Sequence, residues 1–430
     1  MQKLYFSDKY IINSHKVLAT GLETASVYRS WLELDRRDLS LDERYAALPV
    51  LTKNDIRNHF PDGLVPEGRS IGDGIAKGEI SFVDTSGTTS EKITNIWNQP
   101  WWNDSEAASW TLNAHTAHLN HNAREAQLAS SLNVGFCSSG ILPMQDRILN
   151  GRILFLNEKA SALEWDNDIY ARMARELTEF RPAILEANPS LLARLSWWAI
   201  DNSVSMYLPQ IILFTYEFPS QIHRKDIRKA FPVPSASSYG TTETGYVFMQ
   251  CEHGTYHQNT DFCRVDFQPL KNMHGGPDKG RILVTIFNNK WTSLIKFDVG
   301  DIVSLSDHSC PCGRNEGYIL ESIEGRTANA TFATAGNLVT TKQLDDALLK
   351  TDGIRDYHLD QFSRNEYSLK IMTGGNPAGL TDNIKKQMRL LYGSDAELNI
   401  DFCKDIAPAA SGKYRRTQAH FEFDPKELFN

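Results

Sequence analysis

AILEANPSLLARLSWWAIDNSVSMYLPQIILF, residues 183 to 214, carries two short apolar runs, Ala183 to Glu186 and Ile211 to Phe214, on either side of a helical pattern over 190 to 201. Runs of strand length that alternate with helix-length segments predict βαβ units and a parallel sheet. Upstream the rhythm continues, with Asn133 to Phe136 and Ile153 to Leu156 expected as strands and 166 to 179 as a helix. Downstream it changes. RILVTIF, the turn Asn288-Asn289-Lys290, SLIKF and IVSL crowd together between residues 281 and 305, too close for crossover helices, so antiparallel strands are expected. After Gly325 come helix-like TTKQLDDALLK, strand-like EYSLKIM, a Gly-Gly-Asn-Pro turn at 374 to 377, a second helix near 381 to 392 and strand-like AELNIDF. The expectation is an α/β fold: a large N-terminal domain, residues 1–325, joining parallel sheet layers to antiparallel strands, and a small α+β C-terminal domain, residues 326–430.

Composition narrows the class of function. At 430 residues the chain is too long for one apolar core, and 41% hydrophobic with 23% charged content is that of an ordinary soluble protein. Its 45 Lys and Arg against 53 Asp and Glu leave a formal charge of -8, which offers no general attraction to nucleic acid or an anionic membrane. No apolar stretch of about eighteen residues occurs, and the opening MQKLYFSDKYIINSHK has charges where a signal peptide needs apolar residues, so a cytoplasmic protein is expected. Six cysteines are too few for a disulfide scaffold and are read as thiols or metal ligands.

Four short constellations carry chemistry. Thr85-Ser86-Gly87-Thr88-Thr89-Ser90-Glu91-Lys92 follows the apolar Ile80 to Val83, and its hydroxyls, glycine and lysine suit a phosphate cradle, although a hydroxyl-rich turn is more often a solvated loop. Ser237-Ser238-Tyr239-Gly240-Thr241-Thr242-Glu243-Thr244-Gly245 sets a ring, hydroxyls and a carboxylate together, able to stack a heterocycle and hold Mg²⁺, or else a hairpin turn with a surface glutamate. Asp301, after Gly300, can accept two ribose hydroxyls, and Arg326 offers a fork of donors to phosphate, though an Asp after Gly is also common in plain turns. Ala410-Ser411-Gly412-Lys413 leads small residues to one ammonium, useful where charge builds on a transferring phosphoryl group, while a solvated basic tail is the plainer reading.

Taken jointly, TSGTTSEK, YGTTETG, FDVGD, EGRTANA and SGKYRR, spread from residue 85 to 416, resemble the adenylate-forming enzymes of the acyl-CoA synthetase superfamily, and most of all its phenylacetate-CoA ligase branch. The resemblance implies that Ser86, Gly87, Thr88 and Thr89 hold the β and γ phosphates of ATP, that Tyr239 stacks on adenine, and that Gly240, Thr241 and Thr242 line the α-phosphate beside Glu243 on Mg²⁺. It implies further that Asp301 takes the ribose, that Arg326 braces the nucleotide, and that Lys413 bridges the attacking carboxylate and the α-phosphate. Tyr216-Glu217 falls in the nucleotide-binding segment, with Tyr216 where the family tends to have glycine beside the adenine. The small domain is then a mobile lid that carries the catalytic lysine and rotates between two half-reactions.

Cys251, Cys310 and Cys312 with one histidine, His253 or His257, make a four-ligand set for a structural zinc; the branch resembled has members with such a site, and the resemblance prefers His257. Two unrelated surface turns would account for the same residues. Cys137, Cys263 and Cys403 are expected to be buried thiols, and His115, His118 and His121 to lie on the polar face of a helix. Phe136 with the Ser139-Gly140 turn is expected to wall the acyl pocket, while most of Trp97, Trp101, Trp102 and Trp110 are expected to pack the core. The function expected is ATP-dependent activation of an aromatic or bulky carboxylic acid as its acyl-adenylate, then transfer to the thiol of CoA or of a carrier protein's phosphopantetheine. Alternatives are transfer to an amine or alcohol, or a non-catalytic nucleotide-binding relative. A homodimer is carried as an open expectation.

Overall fold

The strands Ile184–Ala187 and Ile211–Phe214 are buried at every residue, which explains why the second reads as an unbroken apolar run and the first as one broken only by Glu186: helices cover both faces of this half of the sheet. The helix between them, Pro189–Asp201, starts where Asn188 accepts the N–H groups of Ser190 and Leu191, with proline in the first turn. Helix Asn167–Phe180 is capped in the same manner by Asp166 and ends on Arg181 in the left-handed region. A computed structural model describes residues 4–85, 93–119, 122–135, 137–138 and 140–430.

One twelve-stranded sheet runs through the large domain. Its parallel half consists of Ile153–Phe155, Glu125–Leu128, Ile184–Ala187, Ile211–Phe214 and Ser235–Thr241, with the short strand Ile148–Leu149 added antiparallel at the outer edge. From Ser235–Thr241 onward the partners are antiparallel, beginning with Gly245–Gln250 and Tyr256–Gln258 and ending with Ile319–Arg326, Phe297–Leu305, Lys279–Ile286 and Cys263–Pro269. After Arg326 the small domain forms a four-stranded sheet in the order Glu397–Cys403, Glu366–Thr373, Ile354–Gln361, Thr417–Ala419, with helices Thr341–Leu349 and Leu380–Tyr392 packed on it. Among the described residues no helix is long and apolar enough to cross a membrane.

Several expectations need correction. The first parallel strand is Glu125–Leu128, whereas Ser131–Val134 is a single helical turn ended by Gly135. Glu125 and Gln127 interrupt the apolar run of that strand and hid it. SLIKF contributes only Phe297 to a strand; before it, the Ile295 N–H leaves the ladder and donates to the Tyr28 hydroxyl at 2.8 Å. His115 and His118 follow a helix that ends at Trp110 and lie in successive turns; His121 falls outside the described residues. Cys263 is buried as expected, Cys403 is half-buried, and Cys137 is exposed. Trp101 and Trp110 are core residues, while Trp97 and Trp102 are only partly covered.

Candidate active site

The strand Ser235–Thr241 is where the sheet changes from parallel to antiparallel pairing, so the loops after Ala187, Phe214 and Thr241 open on one edge. Crevices at such switch points are where open α/β sheets take ligands. Gly240 makes the turn at this edge possible: a Cβ there would lie 2.2 Å from the Gly245 carbonyl oxygen. The turn that follows is stapled by the Thr241 and Thr244 hydroxyls, 3.0 Å apart, and presents Thr242 and the nearly buried Glu243.

Tyr239 donates its hydroxyl to Asp301 at 2.8 Å, and Arg326, the cross-strand neighbour of Asp301, lies 3.7 Å from the other carboxylate oxygen. Burial and the adjacent carboxylate keep the Tyr239 phenol protonated far above its ordinary range. Lys296, immediately before FDVGD, is spent elsewhere: its ammonium donates to the carbonyls of Tyr45 and Leu48 at 2.7 and 2.6 Å.

Lys413 arrives from the small domain. Its loop closes tightly, with Gly412 N–H on the Ala409 carbonyl and Ala409 N–H on the Lys413 carbonyl, both at 2.8 Å. Gly412 has φ 76°, and a Cβ on it would sit 2.2 Å from Ser130 Oγ, so only glycine lets the loop press onto the large domain. Burial lowers the pKa of the Lys413 ammonium, Arg326 lowers it further, and Glu217, Glu243 and Asp301 oppose them. Lys53, unforeseen from the sequence, feels the same set: burial and Arg326 lower its pKa against Glu243, Asp301 and Asp298. It is brought there by Leu51, whose N–H and carbonyl pair with Lys296 and Asp298 at 3.1 and 2.9 Å.

The structure thus joins Tyr239, Asp301 and Arg326 by direct contacts and brings Glu243, Glu217 and Lys413 within electrostatic reach of one another and of that group. Ser86, Gly87, Thr88, Thr89, Phe136 and Ser139 lie outside the described residues. Gly140 stands in an exposed bend, its carbonyl accepting from Lys159 Nζ at 3.3 Å. Tyr216 keeps a glycine-like backbone, φ 72°, and turns its buried hydroxyl to Glu186. Glu186 also accepts from Thr215 at 3.1 Å, and two more carboxyls stand near it: Glu125, held by Gln127 at 2.8 Å, and Glu106, held by the Tyr246 hydroxyl at 2.8 Å. Burial and mutual repulsion raise the pKa of Glu186, and burial with the nearby Glu125 brings Glu106 up to about 7.

Apart from this crevice, the thiols of Cys251, Cys310 and Cys312 and the His257 imidazole place their ligand atoms within 4.8 Å of one another. Cys251 Sγ is 3.6 Å from Cys310 Sγ, and His257 Nε2 is 3.2 Å from Cys312 Sγ. Ligands at about 2.0–2.3 Å from a tetrahedral zinc are themselves separated by about 3.3–3.8 Å, so the donor set fits that ion. His257, not His253, closes the set, and its burial keeps it neutral, with a pKa of about 4. Glu252 and Arg314 tie the two turns together at 3.0 and 3.1 Å.

No family model matches the chain. Protein CapK from Staphylococcus aureus is 22% identical over 261 residues, 59% of this chain, and the match spans 57% of that protein's length. A 2-hydroxyisobutyryl-CoA ligase, solved in its postadenylation state with 2-HIB-AMP, superposes with a TM-score of 0.69 at 16% identity, covering 95% of this chain and 88% of the ligase. The fold is that of the adenylate-forming CoA ligases. The same ligase in its thioesterification state with 2-HIB-AMP and CoA, at 19% identity and equal coverage, superposes with a TM-score of only 0.57. An anthranilate CoA ligase bound to anthranoyl-AMP shares the fold at a TM-score of 0.52 and 14% identity, over 87% of this chain and 74% of that one.

Proposed function

We propose that this protein activates a carboxylic acid with ATP, releasing pyrophosphate and forming an acyl-adenylate, then passes the acyl group to a thiol of CoA or of a carrier protein. The observation that carries this reading is the convergence of Lys413 from the small domain with Glu243, Asp301 and Arg326 from the large one. A carboxylate attacking a phosphate brings two anions together, and cations must offset that repulsion. In this reading Lys413 bridges the acid and the α-phosphate, Arg326 and Lys53 add positive charge, and Asp301, already steadied by Tyr239, accepts the ribose hydroxyls. Tyr239 offers its face to adenine, while Ser86 to Thr89 take the outer phosphates and Gly240 to Thr242 the inner one. Glu243 would hold Mg²⁺, which when bound neutralises phosphate charge. The Cys251, His257, Cys310, Cys312 set would hold a structural zinc. We read the branch as phenylacetate-CoA ligase-like and the acid as aromatic or bulky, with Phe136, Ser139 and Gly140 toward its pocket.

The test is ATP–pyrophosphate exchange across a panel of aromatic, hydroxy and amino acids. One acid is expected to support exchange, and Lys413→Ala to lower it by about a hundred- to a thousandfold with an unchanged circular dichroism spectrum. ATP binding without exchange for any acid would favour a non-catalytic nucleotide-binding protein. Product formation with the thiol omitted and an amine or alcohol supplied would redirect the second step to that acceptor.

A further inference from the structure

Lys413 reaches the crevice only if its loop is held in register, and the contacts around it divide into two kinds. Ile406 and Tyr414 pack into the apolar cluster of the parallel half of the large domain, with Arg194 over the Tyr414 ring at 5.0 Å. Such burial holds the segment but is non-directional. Direction comes from a buried polar chain immediately after the lysine. Tyr414 N–H donates to Glu217 Oε1 at 2.7 Å, the Ser190 hydroxyl donates to Glu217 Oε2 at 2.6 Å, and Arg416 Nη2 donates to Ser190 Oγ at 2.7 Å. The other arm of Arg416 is paired with Asp356 of the small-domain sheet. Ser190, Arg416 and Asp356 are each at most 3% exposed, so the bonds of Arg416 form away from competing water, while those of the half-buried Glu217 are partly covered.

Glu217 therefore has both carboxylate oxygens committed, one to the lysine loop and one to the start of helix Pro189–Asp201. That differs from the nucleotide-contacting part expected of it from sequence. Arg416 is the bolt on the other side: it joins the small-domain sheet to the same serine. We propose that Glu217 and Arg416 are positioning residues for Lys413, clasping its loop to the large domain through Ser190. The proposal rests on the reading of Lys413 given above, and the geometry of the clasp can be tested without it.

Hydrogen exchange on the full chain reads the seating directly. In Glu217→Ala, amides of residues 409 to 416 are expected to exchange about tenfold faster than in the wild type, while the strand Glu366–Thr373 is unchanged. Glu217→Gln keeps a side-chain oxygen for Tyr414 N–H and an amide that can face Ser190, so it should recover most of the protection. With the acid that supports exchange, Glu217→Ala should lower kcat by about thirtyfold with the KM for ATP within about threefold, and Glu217→Gln should restore part of kcat. Unchanged protection of the 409 to 416 segment in Glu217→Ala overturns the clasp. So does a rise in the KM for ATP that matches the loss of activity, which would make Glu217 a nucleotide ligand. If no acid supports exchange in the wild type but the protection pattern holds, the activity reading fails and the clasp stands.

Discussion

Glu106 accepts the Tyr246 hydroxyl and lies near Glu125, and burial first, then that neighbour, lift its pKa from 4.5 to about 7. Between those two values the folded protein keeps a proton that the unfolded chain has released, so this group's contribution to stability falls as pH rises through the window and stays low above it. Glu106→Gln removes the titration and keeps an oxygen for Tyr246. The variant should match the wild-type melting temperature near pH 4.5 and exceed it increasingly up to about pH 7, with a constant gain beyond; a difference that does not vary with pH would refute the assignment. None of this was legible in the sequence. Glu106, Glu125 and Glu186 come from three separate elements, and only the sheet order brings them together. Lys53 was hidden for the same reason, since its place depends on Leu51 pairing beside Phe297. Tyr239, Glu243, Asp301 and Lys413 were legible because each stands in a local motif whose glycine or hydroxyl neighbours mark a turn.

At the scale of elements, the loop around Cys310 and Cys312 has little regular structure, and the turn around Cys251 is joined to it by the Glu252–Arg314 pair and the four ligand atoms. An ion there would cross-link the strand Tyr256–Gln258 to the loop before Ile319–Arg326, both in the antiparallel half of the sheet. Purified protein should contain about one zinc per chain, and Cys310→Ser should lose it with a fall in melting temperature of about 5 °C or more. Metal-free wild type of equal stability would show that the thiols stand there for another reason. The one-residue spacing of the second cysteine pair left the set ambiguous in sequence; the fold brings His257 beside Cys312. Strand reading followed the same logic. Fully buried strands such as Ile211–Phe214 announce themselves, while Glu125–Leu128, with a buried carboxyl in its first position, does not.

For the molecule as a whole, the question is what holds the small domain against helices Pro189–Asp201 and Gln221–Ala230. Around the buried clasp runs a rim of ion pairs across the domain boundary: Arg355 with Asp201 at 2.5 Å, Lys225 with Asp352 at 2.5 Å and Arg194 with Asp405 at 2.6 Å. Lys225–Asp352 is exposed on both sides and the acids of the other two pairs are exposed, although Arg194 is buried and Arg355 largely covered. Pairs open to water are each worth at most about 1 kcal/mol and are screened by salt, whose Debye length falls to about 3 Å at 1 M. Several weak, screenable contacts hold a domain less permanently than a wide apolar seam, because parted charges rehydrate while parted apolar surface does not. The docked arrangement should accordingly lose population as ionic strength rises from about 0.05 to 1 M, seen as a growing radius of gyration in small-angle scattering at constant secondary structure. Asp201→Arg, which faces Arg355 with a like charge, should show the expanded dimension already at low salt, and added salt should partly reverse its effect by screening the repulsion. Scattering that is indifferent to both salt and charge reversal would mean that Ile406, Tyr414 and the clasp alone hold the domains, and that the rim pairs are bystanders.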